Sequence, residues 1–224
     1  MGEAIGNILL LAVAVAVFPV PIIAVVLLLM TPRGVVNGVA FVVGWLVGLT
    51  AVGVVAIVLA PEASESDGAP APWVSLVLLA LGIAAVGLAV RQWRGRPRGD
   101  EKATAPAWMS AIQTFTPRKS LGTGVVLSGA NPKNALLGLA AAAEIAQTGI
   151  PVGEQAVAYG VFVVIATVGV AVPVVVTVAK GDAAASMLER VETWMVRNSA
   201  VIMTILMLLI GAKLVGDAIV GLTA

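Results

Sequence analysis

The chain has 224 residues, of which 60% are hydrophobic and 11% charged, and its formal net charge is +1. So few polar side chains cannot cover a water-exposed surface, which excludes an ordinary soluble protein and predicts an integral membrane protein. Cys and His are both absent, which excludes disulfides, Cys or His metal clusters and Cys/His or Ser/His catalysis. We therefore expect no enzyme, no metal, no cofactor and no nucleic-acid partner.

Six apolar runs have about the length of 20 residues that crosses a hydrocarbon core of about 30 Å. The runs are continuous, without the in-and-out alternation of a transmembrane strand, so they predict six transmembrane helices. They cover residues 5–30, 35–60, 73–90, 121–146, 157–179 and 199–222. An acidic residue, Glu3, stands where a secretory signal has Lys or Arg, so we expect the first helix to be retained.

The first and fourth runs each contain a helix break. Pro19 and Pro21 interrupt the first run, and we expect them to unwind about one turn. The fourth run is interrupted at Asn131, Pro132, Lys133 and Asn134. With three helices in each half, the breaks occupy corresponding positions in halves of opposite orientation. This pattern predicts a 3+3 inverted repeat with a site at its broken helices.

Charge in the connections predicts the orientation in the membrane. Segment 61–72 carries three acidic residues and no base, whereas segment 91–120 carries seven Lys or Arg. The positive-inside rule places the second segment in the cytoplasm and both termini outside. We predict a multi-pass protein of the cytoplasmic (inner) membrane, with one three-helix repeat over 1–90 and another over 121–224. The basic loop over 91–120 is expected to contain an interfacial helix.

A second amphipathic stretch covers residues 182–198. Its apolar residues recur at helical spacing opposite charged ones, which predicts a separate helix lying flat in the cytoplasmic interface.

Lys133 is the sharpest candidate for a functional side chain. If helix four begins at Leu121, a rise of about 1.5 Å per residue places the ammonium about 18 Å deep, where it needs a polar cavity or a partner. If residues 121–130 form a tilted or re-entrant half-helix, Lys133 lies near the cytoplasmic interface instead. In both cases Asn131 and Asn134 supply hydrogen-bonding groups beside a helix break, as a small binding site requires.

Three further ionisable residues lie in or near predicted spans. Lys213 and Asp217 are four residues apart on helix six, which predicts an ion pair near the outer surface. Glu144 lies near the outer end of helix four, either as an interfacial carboxylate or as a group in substrate or proton passage. All three are candidates for gating or proton passage.

Four glycines of helix two form two small-xxx-small pairs, which allow close helix packing within the chain or in a homodimer. These are Gly34, Gly38, Gly44 and Gly48. No phosphate-binding G-x-x-x-x-G-K-[ST] run exists. Any energy source is therefore a gradient, a partner or the concentration difference of the substrate.

Together these motifs resemble the lysine-exporter (LysE) superfamily of small six-helix transporters. Its members show a Pro-x-Pro break in helix one, a Gly-rich stretch after a basic turn, and an Asn-Pro-Lys break in helix four. The matching residues here are Pro19-Val20-Pro21, Arg33-Gly34 with the three later glycines, and Asn131-Pro132-Lys133. Val20 departs from the Gly that amino-acid exporters usually have, and the absent Cys and His set the chain apart from the electron-carrying and nickel or cobalt branches.

Within that superfamily the chain most resembles the actinobacterial Gap and Sap lipid-addressing proteins. The shared features are a long basic central loop, the approach Phe115-Thr116-Pro117-Arg118, and the Asn-Pro-Lys-Asn run. The resemblance implies export of an amphipathic envelope lipid, a glycolipid or peptidoglycolipid, toward the cell surface. The headgroup would contact Lys133, Asn131 and Asn134, and membrane lipids would surround the helices.

Two other functions stay open. One is a secondary exporter of an amino acid or similar small solute, for which we expect more polar residues lining the bundle. The other is a non-transporting membrane scaffold of a lipid-export complex.

Overall fold

The computed structural model describes residues 1–59, 72–96 and 111–223, and this part of the chain is helical apart from short connections. The helices are α1 (Gly2–Ala16), α2 (Pro19–Leu29), α3 (Gly34–Leu59), α4 (Pro72–Arg94), α5 (Pro117–Val125), α6 (Pro132–Gln147), α7 (Val152–Lys180) and α8 (Ala185–Thr223). A π-helical turn, Val126–Ala130, joins α5 to α6, and short 3-10 turns cover Ile112–Thr114 and Gly181–Ala184. The predicted acidic connection and most of the basic loop with its interfacial helix lie outside the described residues.

Four helices are long and apolar enough to cross a membrane: α3, α4, α7 and α8. α1 and α2 together make a fifth candidate, bent by 47° between them. Neither half of the predicted fourth span is long enough to cross a membrane alone, because α5 has 9 residues and α6 has 16. The structure confirms an all-helical, multi-pass membrane protein, and the sixth crossing stays a prediction.

The break in the first span is shorter than predicted. Only Val17 and Phe18 leave the helix, and α2 restarts on Pro19. A proline at the first helical position loses nothing, because that N–H has no partner within the helix. Pro21 lies in the same first turn, and both prolines are buried. The prediction of an unwound turn is therefore wrong: the prolines start a new helix at an angle.

The break between α5 and α6 has the same backbone form as the first. Asn131 has φ −72° and ψ 121° before Pro132, and Phe18 has φ −60° and ψ 123° before Pro19. In each case one extended residue precedes a proline that starts the next helix. The two breaks are local equivalents, although the second follows a π-helical turn and the first does not.

Helices of the first half pack mainly against helices of the second half, and most of these contacts occur in matching pairs. α3 packs against α5 and α6, and α7 packs against α1 and α2. α4 packs against α6, and α8 packs against α2. α4 packs most extensively with α8, where a side chain at Gly82 would meet the backbone of Gly211 and the reverse also holds. Most contacts made by a helix of the first half thus have a counterpart made by a helix of the second; the contact of α1 with α6 is an exception, because α2 and α5 do not pack in the same way.

The glycines of α3 serve packing within the chain. Gly34, Gly38, Gly44 and Gly48 are all buried, the first two against α2 and the last two against the α5 region. The predicted homodimer through these glycines is not supported, because their surface is already covered by the same chain.

We predict that Gly44→Ala lowers the thermal unfolding temperature of the purified protein. The added methyl group would meet the backbone carbonyl of Leu121, which cannot move without shifting α5, and such overpacking costs about 1 to 3 kcal/mol. Gly87→Ala is the matched control, since its methyl group meets nothing within 4 Å. Equal unfolding temperatures for the two variants would contradict this packing.

The amphipathic stretch 182–198 is not a separate interfacial helix, so that prediction is wrong. Residues from Ala185 onward belong to α8, which continues without a break for 39 residues. Its sequence contains neither Gly nor Pro between Ala185 and Ile210, so nothing ends the helix at the predicted boundary. At about 58 Å, α8 is longer than a hydrocarbon core, and one end extends beyond it.

Candidate functional site

The second helix break opens onto a cleft of about 410 Å³ between the end of α4 and the start of α6. We call it the basic cleft; it is lined by Leu88, Arg91, Gln92, Gly95, Asn131, Pro132 and Lys133. Three of the six predicted translocation residues, Asn131, Pro132 and Lys133, therefore lie together. Pro19 and Pro21 do not line this cleft, and Asn134 lies beneath it in the packed interior.

Lys133 has a neutral partner in the basic cleft. Its ammonium donates a hydrogen bond to Gln92 Oε1 at 3.0 Å. Among the described residues no carboxylate lies within ion-pair distance of Lys133. The exposed guanidinium of Arg91 adds a second positive charge to the same cleft. Two cations without a described counter-ion suit an anionic group, which both can reach with charge-assisted hydrogen bonds.

The two asparagines hold the helix break in shape. Asn131 Oδ1 accepts a hydrogen bond from the backbone N–H of Lys133 at 3.1 Å and so caps α6. Asn134 is buried, and its side-chain amide donates to the carbonyl of Leu127 at 2.6 Å, across the π-helical turn. The Oδ1 atom of Asn134 has no hydrogen-bond partner among the described residues. Both residues therefore fix where Lys133 points.

The contact of Lys133 with Gln92 favours the shallower of its two predicted depths, and the depth itself stays a prediction. Gln92 lies in the last turn of α4, at the edge of the candidate span Trp73–Arg94. We therefore expect Lys133 near the end of the span, as predicted for a half-helix before the break, and not at the centre. At that depth the cost of placing this ammonium is smaller than at the bilayer midplane.

A second, apolar crevice of about 220 Å³ lies at the other end of the same pair of helices. We call it the apolar crevice; it is lined by Val55, Ala56, Ile57, Trp73, Val77, Leu81, Leu139, Ala142, Ala143, Ala146 and Gln155. α4 and α6 run antiparallel, because Lys133 contacts Gln92 at one end and Gln147 contacts Ser75 at the other.

The basic cleft and the apolar crevice lie on one face of α4. Apart from Arg91, the residues of α4 that line them are spaced by four, four, seven and four positions, which keeps them on one helical face. They are Trp73, Val77, Leu81, Leu88 and Gln92. The α4–α6 seam is therefore basic at one end and apolar at the other.

The predicted ion pair of Lys213 with Asp217 is present, and Glu144 joins it. Lys213 Nζ donates to Asp217 Oδ2 at 2.5 Å and to Glu144 Oε1 at 2.8 Å. The Glu144 side chain is 1% exposed because other helices cover it, and whether it lies at the membrane interface stays a prediction. Glu144 lies within an apolar run of α6. Nothing in the sequence around Glu144 indicates that its partner is a lysine of α8.

Sequence analysis did not identify Gln92 as a functional residue and assigned Arg91 only to the basic loop. Both residues line the basic cleft, and Gln92 contacts Lys133. No local motif marks this contact, because it depends on how α4 and α6 are aligned, 41 positions apart in the chain.

Comparison of the chain with curated proteins and with solved structures finds no match. A family model described as Sap, sulfolipid-1-addressing protein, matches residues 8–220, which is nearly the whole chain. This match confirms the predicted resemblance to the Gap and Sap lipid-addressing proteins, whereas membership of the wider LysE superfamily stays a prediction. The chain belongs to the family of the sulfolipid-1-addressing protein Sap.

Proposed function

We propose that this protein exports an anionic amphipathic envelope lipid across the cytoplasmic membrane toward the cell surface, without changing it chemically. The observation that carries the proposal is the α4–α6 seam, which has a basic cleft at one end and an apolar crevice at the other. A lipid with an anionic headgroup and a long alkyl chain has the same two-part character. The family match supports a role in lipid addressing.

The headgroup is proposed to bind in the basic cleft. A sulfate or phosphate oxygen accepts hydrogen bonds from the Lys133 ammonium and the Arg91 guanidinium, and both bonds are charge-assisted. Gln92 holds Lys133 in place while the cleft is empty and gives up this neutral contact to a charged one. Hydroxyl groups of a sugar can donate to the unpaired Oδ1 of Asn134 if the lipid reaches that depth.

The alkyl chain is proposed to follow the seam into the apolar crevice. Lys133 and Ala146 are thirteen residues apart on α6, so the seam is about 20 Å long, comparable to a leaflet of about 15 Å. Three alanines, Ala142, Ala143 and Ala146, leave room along the α6 wall of the crevice. Burial of each methylene group contributes about 0.8 kcal/mol.

A 3+3 inverted repeat is the proposed framework for this movement. The two breaks share one backbone form, and most helix contacts exchange between the two halves, with the α1–α6 contact as an exception. In such transporters one half moves against the other around a site at a broken helix. The predicted sixth crossing, formed by α5 and α6 together, is part of this proposal.

The proposal is tested in proteoliposomes with two fluorescent probes, a sulfated galactosylceramide and its unsulfated counterpart, each NBD-labelled on the acyl chain. Dithionite bleaches only the outer leaflet, so it reports transbilayer movement. We expect the protein to move the sulfated probe faster than the neutral one. Uptake of radiolabelled amino acids without lipid movement would instead favour the small-solute exporter, and neither activity would favour the scaffold.

The orientation is tested by thiol labelling, since the chain has no cysteine. Single cysteines are placed at Ser66, Thr104 and Ser186 and treated with an impermeant reagent on intact cells. We expect only position 66 to react, because the basic segment faces the cytoplasm. Labelling at position 104 would contradict the proposed topology and place both termini inside.

A further inference from the structure

Glu144, Lys213 and Asp217 form a charge cluster that lipid binding in the seam does not use. One ammonium serves two carboxylates, at 2.8 Å from Glu144 and 2.5 Å from Asp217. With both carboxylates ionised, the cluster carries one more negative than positive charge. Asp217 is 37% exposed, whereas Glu144 is 1% exposed.

An excess charge buried among membrane helices is costly, and a hydrophobic residue of similar volume serves packing better. Binding of one proton removes that excess. Lys213 already occupies the position between the carboxylates that a metal cation would take. In the described residues no group of three or more acidic, Cys or His side chains is placed to hold a metal ion. With the position between the carboxylates occupied, the cluster fits a proton better than a metal cation.

Lys213 and Asp217 are the charged groups that act on Glu144. The helices packed against α6 are α1, α3, α4 and α7, and α3 contains no ionisable residue. The other ionisable residues on these helices do not join the cluster: Glu3, Arg91, Arg94, Glu154, Tyr159 and Lys180. Glu154 instead faces the N-terminal amino group at 4.0 Å, and the Tyr159 hydroxyl donates to Leu49.

Helix α6 links this cluster to the basic cleft. Lys133 and Glu144 are eleven residues apart on α6, a rise of about 16 Å. Near its start, Lys133 holds α6 to α4 through Gln92, and near its end, Glu144 holds α6 to α8 through Lys213. Because the helix is interrupted at Asn131 and a new one starts at Pro132, α6 is not continuous with α5.

The two helices that hold α6 are themselves a tightly packed pair. α4 and α8 approach at Gly82 and Gly211, two residues before Lys213. α6 is thus a half-helix held to the α4–α8 pair by a lysine contact near each end, and at the C-terminal end of α6 Gln147 adds a hydrogen bond to Ser75 of α4. An anion competes with Gln92 for Lys133, and a proton competes with Lys213 for Glu144.

We infer that Glu144 is a proton-binding site that couples movement of α6, and with it lipid export, to the transmembrane proton gradient. This inference rests on the proposed function. A proton that binds the Glu144 carboxylate breaks its ion pair with Lys213, whose ammonium stays with Asp217. α6 is then released from α8 while the headgroup contact at its other end is kept. Loss of the proton on the opposite side restores the ion pair.

The first test uses proteoliposomes with the NBD-labelled sulfated galactosylceramide and an imposed gradient of one pH unit. We expect the gradient to change the wild-type rate and to shift the steady-state ratio of probe between the leaflets by up to about tenfold, since one unit corresponds to about 1.4 kcal/mol per proton. Glu144→Gln, which keeps the side-chain shape and cannot ionise, should make the rate independent of the gradient. Glu154→Gln is the matched control on an exposed carboxylate and should respond as the wild type does.

The outcomes separate the inference from the function on which it rests. A gradient response retained in Glu144→Gln, or absent from an active wild type, overturns proton coupling and leaves lipid export standing. A wild type that is no faster than protein-free liposomes, with and without the gradient, overturns both.

A second measurement does not depend on transport. Infrared difference spectra of the purified full chain between about pH 6 and alkaline pH, where ordinary exposed carboxyl groups with pKa values of about 4 stay ionised, should show the C=O band of a protonated carboxyl group. This band should be lost in Glu144→Gln and kept in Glu154→Gln. Its absence from the wild type, or its loss only in Asp217→Asn, overturns the assignment of the proton to Glu144.

Discussion

Replacing Lys133 with Met is expected to slow movement of a sulfated lipid by about 10- to 150-fold while protein levels stay normal. The substitution keeps the apolar stem and removes the ammonium, so packing along α6 is preserved. A hydrogen bond to a charged group contributes about 1.5 to 3 kcal/mol, which corresponds to this range of rates. The initial rate for the NBD-labelled sulfated galactosylceramide in proteoliposomes measures the effect.

The matched control is Lys119→Met, which removes the same charge from an exposed position on α5, outside the basic cleft. Its rate should stay within about twofold of wild type. Lys133→Arg should recover part of the activity, because it restores the charge with a different shape. Full activity of Lys133→Met at wild-type protein level would remove Lys133 from the site and leave Glu144, Lys213 and Asp217 as the candidates.

The expected loss in Lys133→Met also distinguishes export from scaffolding. Lys133 makes a side-chain contact with Gln92, while the break itself is fixed by Asn131 and Asn134. Its replacement therefore leaves the helix break intact. A scaffold should tolerate the change, so lost lipid movement in a protein that is folded and present at normal levels supports direct headgroup binding.

Long apolar runs made most of the helices predictable from the sequence. Cores of the helices and both breaks were predicted at or near their observed positions, because proline marks a break locally. The extent of the unwinding at Pro19 could not be predicted, since a proline is also tolerated at the first position of a new helix. α8 was predicted too short, because charged residues such as Glu189 and Arg190 suggested a boundary although no helix breaker was present.

The candidate site was predictable only where one segment carries it. Asn131, Pro132 and Lys133 are adjacent in sequence, and their chemistry was visible there. The contacts of Lys133 with Gln92 and of Glu144 with Lys213 join residues 41 and 69 positions apart. Such contacts depend on helix register and crossing angle, which apolar periodicity does not determine.

Replacing Ala143 with Phe is expected to lower the transport rate of long-chain lipids by about 100-fold or more. Ala143 is half-buried and lines the apolar crevice, so a phenyl ring there occupies the space proposed for the alkyl chain. Displacing four methylene groups forfeits about 3 kcal/mol of burial, which corresponds to that factor. The headgroup contact at Lys133 is unaffected, so a short-chain analogue should lose much less.

Chain length therefore provides the decisive measurement for the seam. Wild-type rates for sulfated galactosylceramides should rise with acyl length until the crevice is filled, and Ala143→Phe should remove this dependence. Ala84→Phe is the matched control, because Ala84 is exposed on α4 and does not line the crevice. Thermal unfolding checks that both variants fold. Equal rates and equal chain-length dependence in the two variants would show that the alkyl chain does not enter the crevice, and would confine lipid recognition to the basic cleft.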